Sequence, residues 1–271
     1  MRWVRRGGRV AEFCRREGLP ELEARRSCRE NTCYRPHAHD SFSIGAVDAG
    51  SSVLTGPIDG TTRLEPGDVI VIPAGQVHAC NPDHGQWRYQ MIHVDQDWAT
   101  CLMPGRISSP LLDGIRVLRH PDLHSRVSAL NDAIFTDGTL EAITSQFALL
   151  FTELEGAAPE HAAATESDPD LLIRLAPVLQ RLRADLANPA LTELAESIGM
   201  TKYQLIRAMR RATGLSPLAW RQNARIVRAR HMLRQGRPIA ETAHMLGFSD
   251  QSHFHRVFRA HVAASPGSYR E

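Results

Sequence analysis

The sequence predicts an α+β fold in two unlike parts, a compact antiparallel β unit followed by an all-helical one, and three observations carry that prediction. Residues 30 to 97 break into short runs rich in Val and Ile, "FSIGAVDAG", "SSVLTG", "TRLEPGDVIVIP" and "WRYQMIHVD", separated by the turn formers "GPIDG", "EPGD" and "PAG". From Asp122 the apolar period lengthens from two to between three and four, and it stays helical to the C-terminus except across one low-complexity stretch. The charge also divides: residues 170–271 hold 16 Lys+Arg against 7 Asp+Glu, a net +9, while the preceding residues sum to −7.

Each element follows from its own pattern. The front runs read as an antiparallel sandwich or barrel. Leu123, Val127, Leu130 and Ile134, then Leu140, Ile143, Phe147, Leu150, Phe151 and Leu154, predict two amphipathic helices joined through "TDGT". Their apolar face suits either a dimer contact or packing on the β unit. "EGAAPEHAAATESDPD" has no periodicity and reads as the linker. The predicted organisation is therefore a sensing and dimerising domain over 1–155, a linker over 156–169 and a basic helical domain over 170–271.

The composition excludes several classes. At 271 residues with 42% hydrophobic content and no apolar run near the roughly 18 residues a bilayer demands, the chain reads as soluble, and the N-terminus "MRWVRRGGRVAEFCRREG" lacks the apolar core of a targeting peptide. A cytoplasmic protein with no membrane partner is expected. Five scattered cysteines (Cys14, Cys28, Cys33, Cys80, Cys101) without C-x-x-C pairing argue for reduced thiols. A strongly basic helical domain suits a polyanion, because each neutralised phosphate releases counterions.

The basic half contains a duplication. "TELAESIGMT" (192–201) and "AETAHMLGFS" (240–249) align at an offset of 48 through Glu193/Glu241, Ala195/Ala243, Gly199/Gly247 and Thr201/Ser249. Beyond the turn the offset is 49, through Leu205/Phe254, Arg207/Arg256, Met209/Phe258, Pro217/Pro266 and Trp220/Tyr269. Each copy reads as a short helix, a glycine turn of positive φ, and a second helix capped by Thr201 or Ser249: a helix-turn-helix. Burial of Leu205, Ala208 and Met209 in one copy and of Phe254, Val257 and Phe258 in the other leaves Tyr203, Gln204, Ile206, Arg207 and Arg210, and Gln251, Ser252, His255, Arg256 and Arg259, facing outward. Arg grips guanine O6 and N7 with two bonds and Gln does the same for adenine, so these faces suit double-stranded DNA. Between the copies a helix of about 17 residues, near 25 Å long, would set the two second helices into successive major grooves. Arg221, Arg225 and Arg228 share one of its faces and are expected to touch the intervening DNA backbone.

The last hundred residues, with "IAETAHMLGFSDQSHFHRVFRAHVAASPGSYR", resemble the C-terminal domain of AraC/XylS-family transcription regulators. The resemblance implies base contacts from Tyr203, Ile206 and Arg207 and from Gln251, Ser252, His255 and Arg256. It departs at His253, where the family has Tyr, and at Ala263 and Ala264, where the family has Gly before the closing Ser-Pro.

In the front half, "HAHDSFSIGAVDAG" and "GDVIVIPAGQVHACN" resemble the two cupin motifs, which implies a cupin-like barrel. On a strand His37 and His39 would point to one side, with His78 completing three nitrogens suited to Zn, Fe or Ni and His93 as a fourth ligand. The carboxylate that metal-binding cupins place four or five residues past the second His is replaced by Ser43 and Ile44. The histidines therefore admit three readings: lining of a metal-free effector site, a divalent metal held within a sensor, or a remnant of catalysis. Arg35, His37, His39, His78, Trp87 and His93 are the candidate effector contacts, and Cys80 is a candidate soft ligand or redox-sensitive thiol. Trp87, Tyr89 and Met91 alternate on one strand face and read as core packing ahead of ligand stacking.

The expected function is a DNA-binding transcription regulator, homodimeric in form, that answers to a small-molecule effector, needs no cofactor and has RNA polymerase as a further partner. The rivals are a metal-dependent cupin enzyme and a regulator whose input is a metal or redox change.

Overall fold

A computed structural model describes residues 11–30, 34–56, 60–136, 138–164 and 168–270. The chain divides into a β-rich unit, residues 1–33 with His39–Ala164, and a helical unit made of Thr165–Glu271 and the five residues Tyr34–Ala38.

The β-rich unit holds β1 (Ala11–Arg16), β2 (Leu19–Glu30), β3 (Phe42–Ala49), β4 (Ser52–Thr55), β5 (Thr61–Leu64), β6 (Asp68–Ile72), β7 (Ala79–Pro82), β8 (Gln86–Val94), α1 (Gln96–Leu102), β9 (Gly114–Arg119), α2 (Pro121–Phe135), α3 (Leu140–Gly156) and β10 (His161–Ala164). Seven strands form one sheet in the order β1-β2-β8-β3-β6-β9-β10, and β5-β4-β7 form a second. Every pairing between the described strands is antiparallel.

Side-chain alternation makes the large sheet two-faced. Phe42, Ile44 and Ala46 of β3, Val69 and Val71 of β6, and Ile92 and Val94 of β8 pack beneath Leu123, Val127, Leu130 and Ile134 of α2 and Ile143, Phe147, Phe151 and Leu154 of α3. Val47, Ile70, Ile72, Trp87 and Tyr89 point the other way and meet Leu54, Leu64 and Cys80 of the small sheet. Burial on both faces is why the four residues after Asp68, "VIVI", read as an unbroken apolar run. The helical apolar stripe is thus buried on the sheet, apart from Leu140 and Leu149, which stay exposed. The "EPGD" reading holds in detail: Pro66 and Gly67, the latter at φ +97, fill the two central positions of a turn closed by Asp68 N–H to Glu65 O at 3.0 Å.

Three features differ from the sequence expectation. Strands β1, β2, β9 and β10 were not read as strands from the sequence. Part of the stretch read as linker is β10, which pairs with β9 in register His161↔Val117. "RPHAHD" is not a regular strand, because β3 begins only at Phe42, so His37 and His39 are not held in alternation by a ladder. Cys33, residues 1–10, and 165–167 of the linker lie outside the described residues.

The helical unit runs α4 (Pro169–Ala184), α5 (Leu191–Glu196), α6 (Lys202–Thr213), α7 (Pro217–Arg234), α8 (Ile239–Met245), α9 (Gln251–Val262) and α10 (Pro266–Arg270). α5–α6 and α8–α9 are the two expected copies. The first is cored by Leu175, Val178, Leu182, Leu194, Leu205 and Met209, with Trp220 packed against them. The second is cored by aromatics: Phe254 lies 5.1 Å from Phe248 and 5.5 Å from Phe258, which meets Tyr269 at 5.5 Å. Trp220 and Tyr269, matched by the repeat, are thus both buried or half-buried anchors at the close of their copies.

Candidate nucleic-acid interface and effector site

Helix α6 starts with a full capping box. Thr201 Oγ1 accepts from Gln204 N–H at 3.2 Å, and Gln204 Oε1 accepts from Thr201 N–H at 2.8 Å. Gln204 therefore commits its carbonyl oxygen to the cap and keeps only its NH2 group for other partners. Tyr203 is 67% exposed, Arg207 and Arg210 are exposed, and Ile206 is half-buried. In α9 the cap differs from expectation: Asp250, not Ser249, accepts from His253 N–H at 2.6 Å, and Ser249 Oγ donates to the same carboxylate at 3.0 Å. Gln251, Ser252, Arg256 and Arg259 are exposed; His255 is half-buried, with its Nε2 enclosed and without a hydrogen-bond partner. Both outward faces thus exist, on helices whose other side is the core.

The basic stripe expected along α7 is largely inside. Arg221 is 1% exposed and donates to the carbonyls of Leu182 at 3.2 Å, Leu186 at 2.9 Å, Ala187 at 2.7 Å and Asp185. Arg225 donates to Leu186 O at 2.7 Å, and burial beside Arg221 pulls its pKa down to about 10. Arg221 and Arg225 are therefore fasteners for the C-terminal end of α4, whose carbonyls lack intrahelical donors. Only Arg228 of the three is exposed.

In the β-rich unit, His39 lies with its ring centroid 5.0 Å from that of His78 and 4.7 Å from that of His93, and the ring nitrogens of His39 and His78 come within 4.8 Å. His93 Nδ1 sits 2.8 Å from Ser43 Oγ, so the residue at the position of the missing cupin carboxylate supports a histidine instead. His78 Nδ1 donates to Gln76 O at 3.0 Å, which leaves Nε2 as the acceptor nitrogen. Burial pulls the His78 pKa down from 6.5 to about 4. The unfolded chain takes up this proton near pH 6.5 and the folded one resists until about 4, so stability present above pH 6.5 drains away as pH falls. The full loss is about 3 kcal/mol. Urea unfolding at pH 7 and pH 4.5 is expected to show a smaller acid loss for His78→Gln than for the parent; equal losses would remove His78 as the cause.

Burial pushes the Cys80 thiol up to about 12, so it stays protonated and lacks the thiolate that redox sensing requires. Arg35 and His37, two of the candidate effector contacts, lie in the segment grouped with the helical unit. Arg35 is exposed, donating its guanidinium to Gln222 Oε1 at 3.2 Å and its N–H to Ala260 O at 3.1 Å, and His37 Nδ1 donates to Arg35 O at 2.8 Å. Trp87 is buried between the sheets, stacked on Tyr89 at 4.2 Å.

Sequence reasoning missed the polar face of β2. The register Glu23↔His93, Arg25↔Met91 and Ser27↔Tyr89 sets these three residues on the face that carries Trp87 and Tyr89, all of them buried. Arg15 Nε donates to Glu23 at 2.9 Å and Arg25 Nε to Ser27 Oγ at 2.6 Å. The signal was the alternation "LEARRSC", in which Leu22 and Ala24 enter the core beneath the helices.

Comparison with known proteins bears on both sites. A helix-turn-helix domain family matches residues 194–271, and the AraC-like ligand binding domain family matches residues 19–173, more than half of the chain. The chain belongs to the AraC family. AraC-family members are transcription regulators that join a ligand-binding N-terminal domain to a helix-turn-helix DNA-binding domain, and this chain has both. It is 27% identical over 218 residues to the arabinose operon regulatory protein of Salmonella typhimurium, covering 76% of this chain and 75% of that protein. It is 25% identical over 263 residues to the RCS-specific HTH-type transcriptional activator RclR of Escherichia coli, with 87% of each covered. The crystal structure of ToxT from Vibrio cholerae O395 matches with a TM-score of 0.59 at 13% identity over 92% of this chain and 97% of that one, a likeness of fold. Against the AraC pattern, Ala263 takes the left-handed conformation at φ 57 as C-cap of α9, where a glycine would sit without strain. His253 packs edge-on to Phe248 at 5.4 Å, which accounts for an aromatic preference there.

Proposed function

We propose that this AraC-family regulator reads duplex DNA through Tyr203, Gln204, Ile206 and Arg207 of α6 and Gln251, Ser252, His255 and Arg256 of α9, under control of a small molecule held between the two sheets. The observation that carries the reading is the pair of equivalent, exposed arginines, Arg207 and Arg256, one on each capped second helix. Arg228 adds a phosphate contact. The sensing function lies in the β-rich unit and the reading function in the helical unit. The effector has to favour one of two reader states, because a ligand with equal affinity for both shifts nothing.

No enzyme activity is part of this reading, the relatives being regulators, and no metal is needed for it. The closeness of the His39 and His78 ring nitrogens favours a divalent-metal input as a second reading, and stoichiometric Zn, Fe or Ni in the purified chain would move the input there. A homodimer that recruits RNA polymerase is the proposed working form, and a cytoplasmic location suits a protein that reads DNA. Among the described residues no helix is long and apolar enough to cross a membrane.

The test is a salt-controlled titration of the full chain against a duplex selected from a random pool. Arg256→Ala is expected to weaken the selected duplex by about 1 to 3 kcal/mol and to relax preference at one base pair. Unchanged affinity and unchanged preference would remove Arg256 from the reading head.

A further inference from the structure

Given the reading that α6 and α9 face duplex DNA, the caps of the two helices decide which of their glutamines can carry base specificity. The offset of the repeat steps from 48 to 49 between the pairs Thr201/Ser249 and Leu205/Phe254. The extra residue is Asp250, the N-cap of α9, whereas α6 is capped by Thr201, the match of Ser249. Lys202 is thereby equivalent to Gln251, Gln204 to His253 and Arg207 to Arg256.

In α6 the cap occupies the glutamine. Gln204 is the third residue of the helix, and its Oε1 turns back to accept from the Thr201 N–H at 2.8 Å. A glutamine reads adenine with two bonds, Oε1 accepting from the N6 amino group and Nε2–H donating to N7. Gln204 has only the donated bond to give, and adenine N7, guanine N7 and O6 and thymine O4 all accept one. Swinging the amide out to form both bonds first breaks the cap, a handicap of about five-fold, the worth of one neutral hydrogen bond.

In α9 the inserted carboxylate leaves the glutamine at liberty. Asp250 accepts from the His253 N–H at 2.6 Å and from Ser249 Oγ at 3.0 Å, so no side chain has to turn back from the third position. His253 instead packs its ring against Phe248 at 5.4 Å. Gln251, at the first helical position, is exposed, and its amide has no hydrogen-bond partner among the described residues. The equivalent place in α6 holds Lys202, whose ammonium is a point charge suited to phosphate and blind to base identity. We infer that Gln251 is the adenine-reading residue: the DNA site requires an A·T pair under the first turn of α9. Gln204 sets no such requirement under α6, where it is a positioning residue that holds the turn carrying Tyr203.

The experiment is a competitive titration of the full chain, at fixed salt, with a duplex selected from a random pool and its single-base-pair substitutions. Gln251→Met is expected to abolish the preference for one A·T pair, a loss of about five-fold to a hundred-fold in discrimination, and to leave the urea midpoint in place. At that pair, 7-deazaadenine, which lacks N7, and purine, which lacks the N6 amino group, are each expected to weaken the parent chain about five-fold or more and Gln251→Met not at all. Gln204→Met is expected to keep the ranking of the four bases at every position and to lower the urea midpoint. Gln204→Glu, whose carboxylate accepts the same Thr201 N–H, is expected to restore that midpoint. Preferences unchanged by Gln251→Met, an A·T preference erased by Gln204→Met, or a parent chain indifferent to either analogue would overturn the inference. A wild-type chain that selects no duplex at all would overturn the regulator reading itself.

Discussion

Replacing Arg221 with Met is expected to destabilise the helical unit by about 3 to 5 kcal/mol, more than any single change on its exposed faces. The guanidinium is the sole hydrogen-bonding side chain that reaches the carbonyls of Leu182, Asp185, Leu186 and Ala187 among the described residues, apart from Arg225 on Leu186. Met fills much of the volume and satisfies none of these acceptors. Lys offers one donor centre instead of a planar fork and cannot span carbonyls at both ends of the turn. The first copy is cored by α4 residues Leu175, Val178 and Leu182, so loosening the end of α4 loosens α5 and α6 with it. Chemical denaturation followed by circular dichroism measures the loss, and duplex binding is expected to fall as a consequence of unfolding. Arg228→Ala, on the same helix but exposed, is expected to leave stability unchanged. A loss under about 1 kcal/mol for Arg221→Met would refute the fastening role.

The two turn glycines are expected to respond unequally, although the repeat makes them equivalent. Gly199 has φ +65 and open space where a Cβ would stand, so Gly199→Ala bears only the left-handed backbone cost of about 1 to 2 kcal/mol. Gly247 has φ +69, and a Cβ there would sit 2.6 Å from Leu186 O and 3.0 Å from Arg225 Nη2. The Leu186 carbonyl cannot retreat cheaply, since Arg221 and Arg225 both donate to it. Gly247→Ala therefore combines backbone strain with displacement of a doubly bonded carbonyl, and a loss above about 3 kcal/mol is expected. Paired denaturation curves check this, and equal losses for the two variants would show that the Leu186 carbonyl gives way. Arg221 and Gly247 act on the same turn after α4, so their double variant is expected to lose less than the sum.

Much of the doubled helix-turn-helix was legible from local pattern alone. The repeat, the glycine turns and the alternation of Leu205, Met209, Phe254 and Phe258 with exposed arginines are properties of short segments, and helices express such patterns whatever surrounds them. The same holds for α2 and α3, whose apolar stripes announced themselves at helical spacing.

The polar face of β2 was illegible for a physical reason. "LEARRSC" alternates apolar and polar residues, as any half-exposed strand does, and only the pairing of β2 with β8, some sixty residues later, sets its polar side on the same buried sheet face as Trp87 and Tyr89. Arg221 deceived in the same way: on sequence it belongs to a stripe of arginines at helical spacing, and the arrival of the end of α4 turned it into a buried clasp. The sequence by itself determined which elements form and which residues share a face, because hydrophobic periodicity and caps act within a few residues. Tertiary structure alone decided which polar faces were covered, because the burial of a charge depends on the element that docks over it, and no local rule names that element.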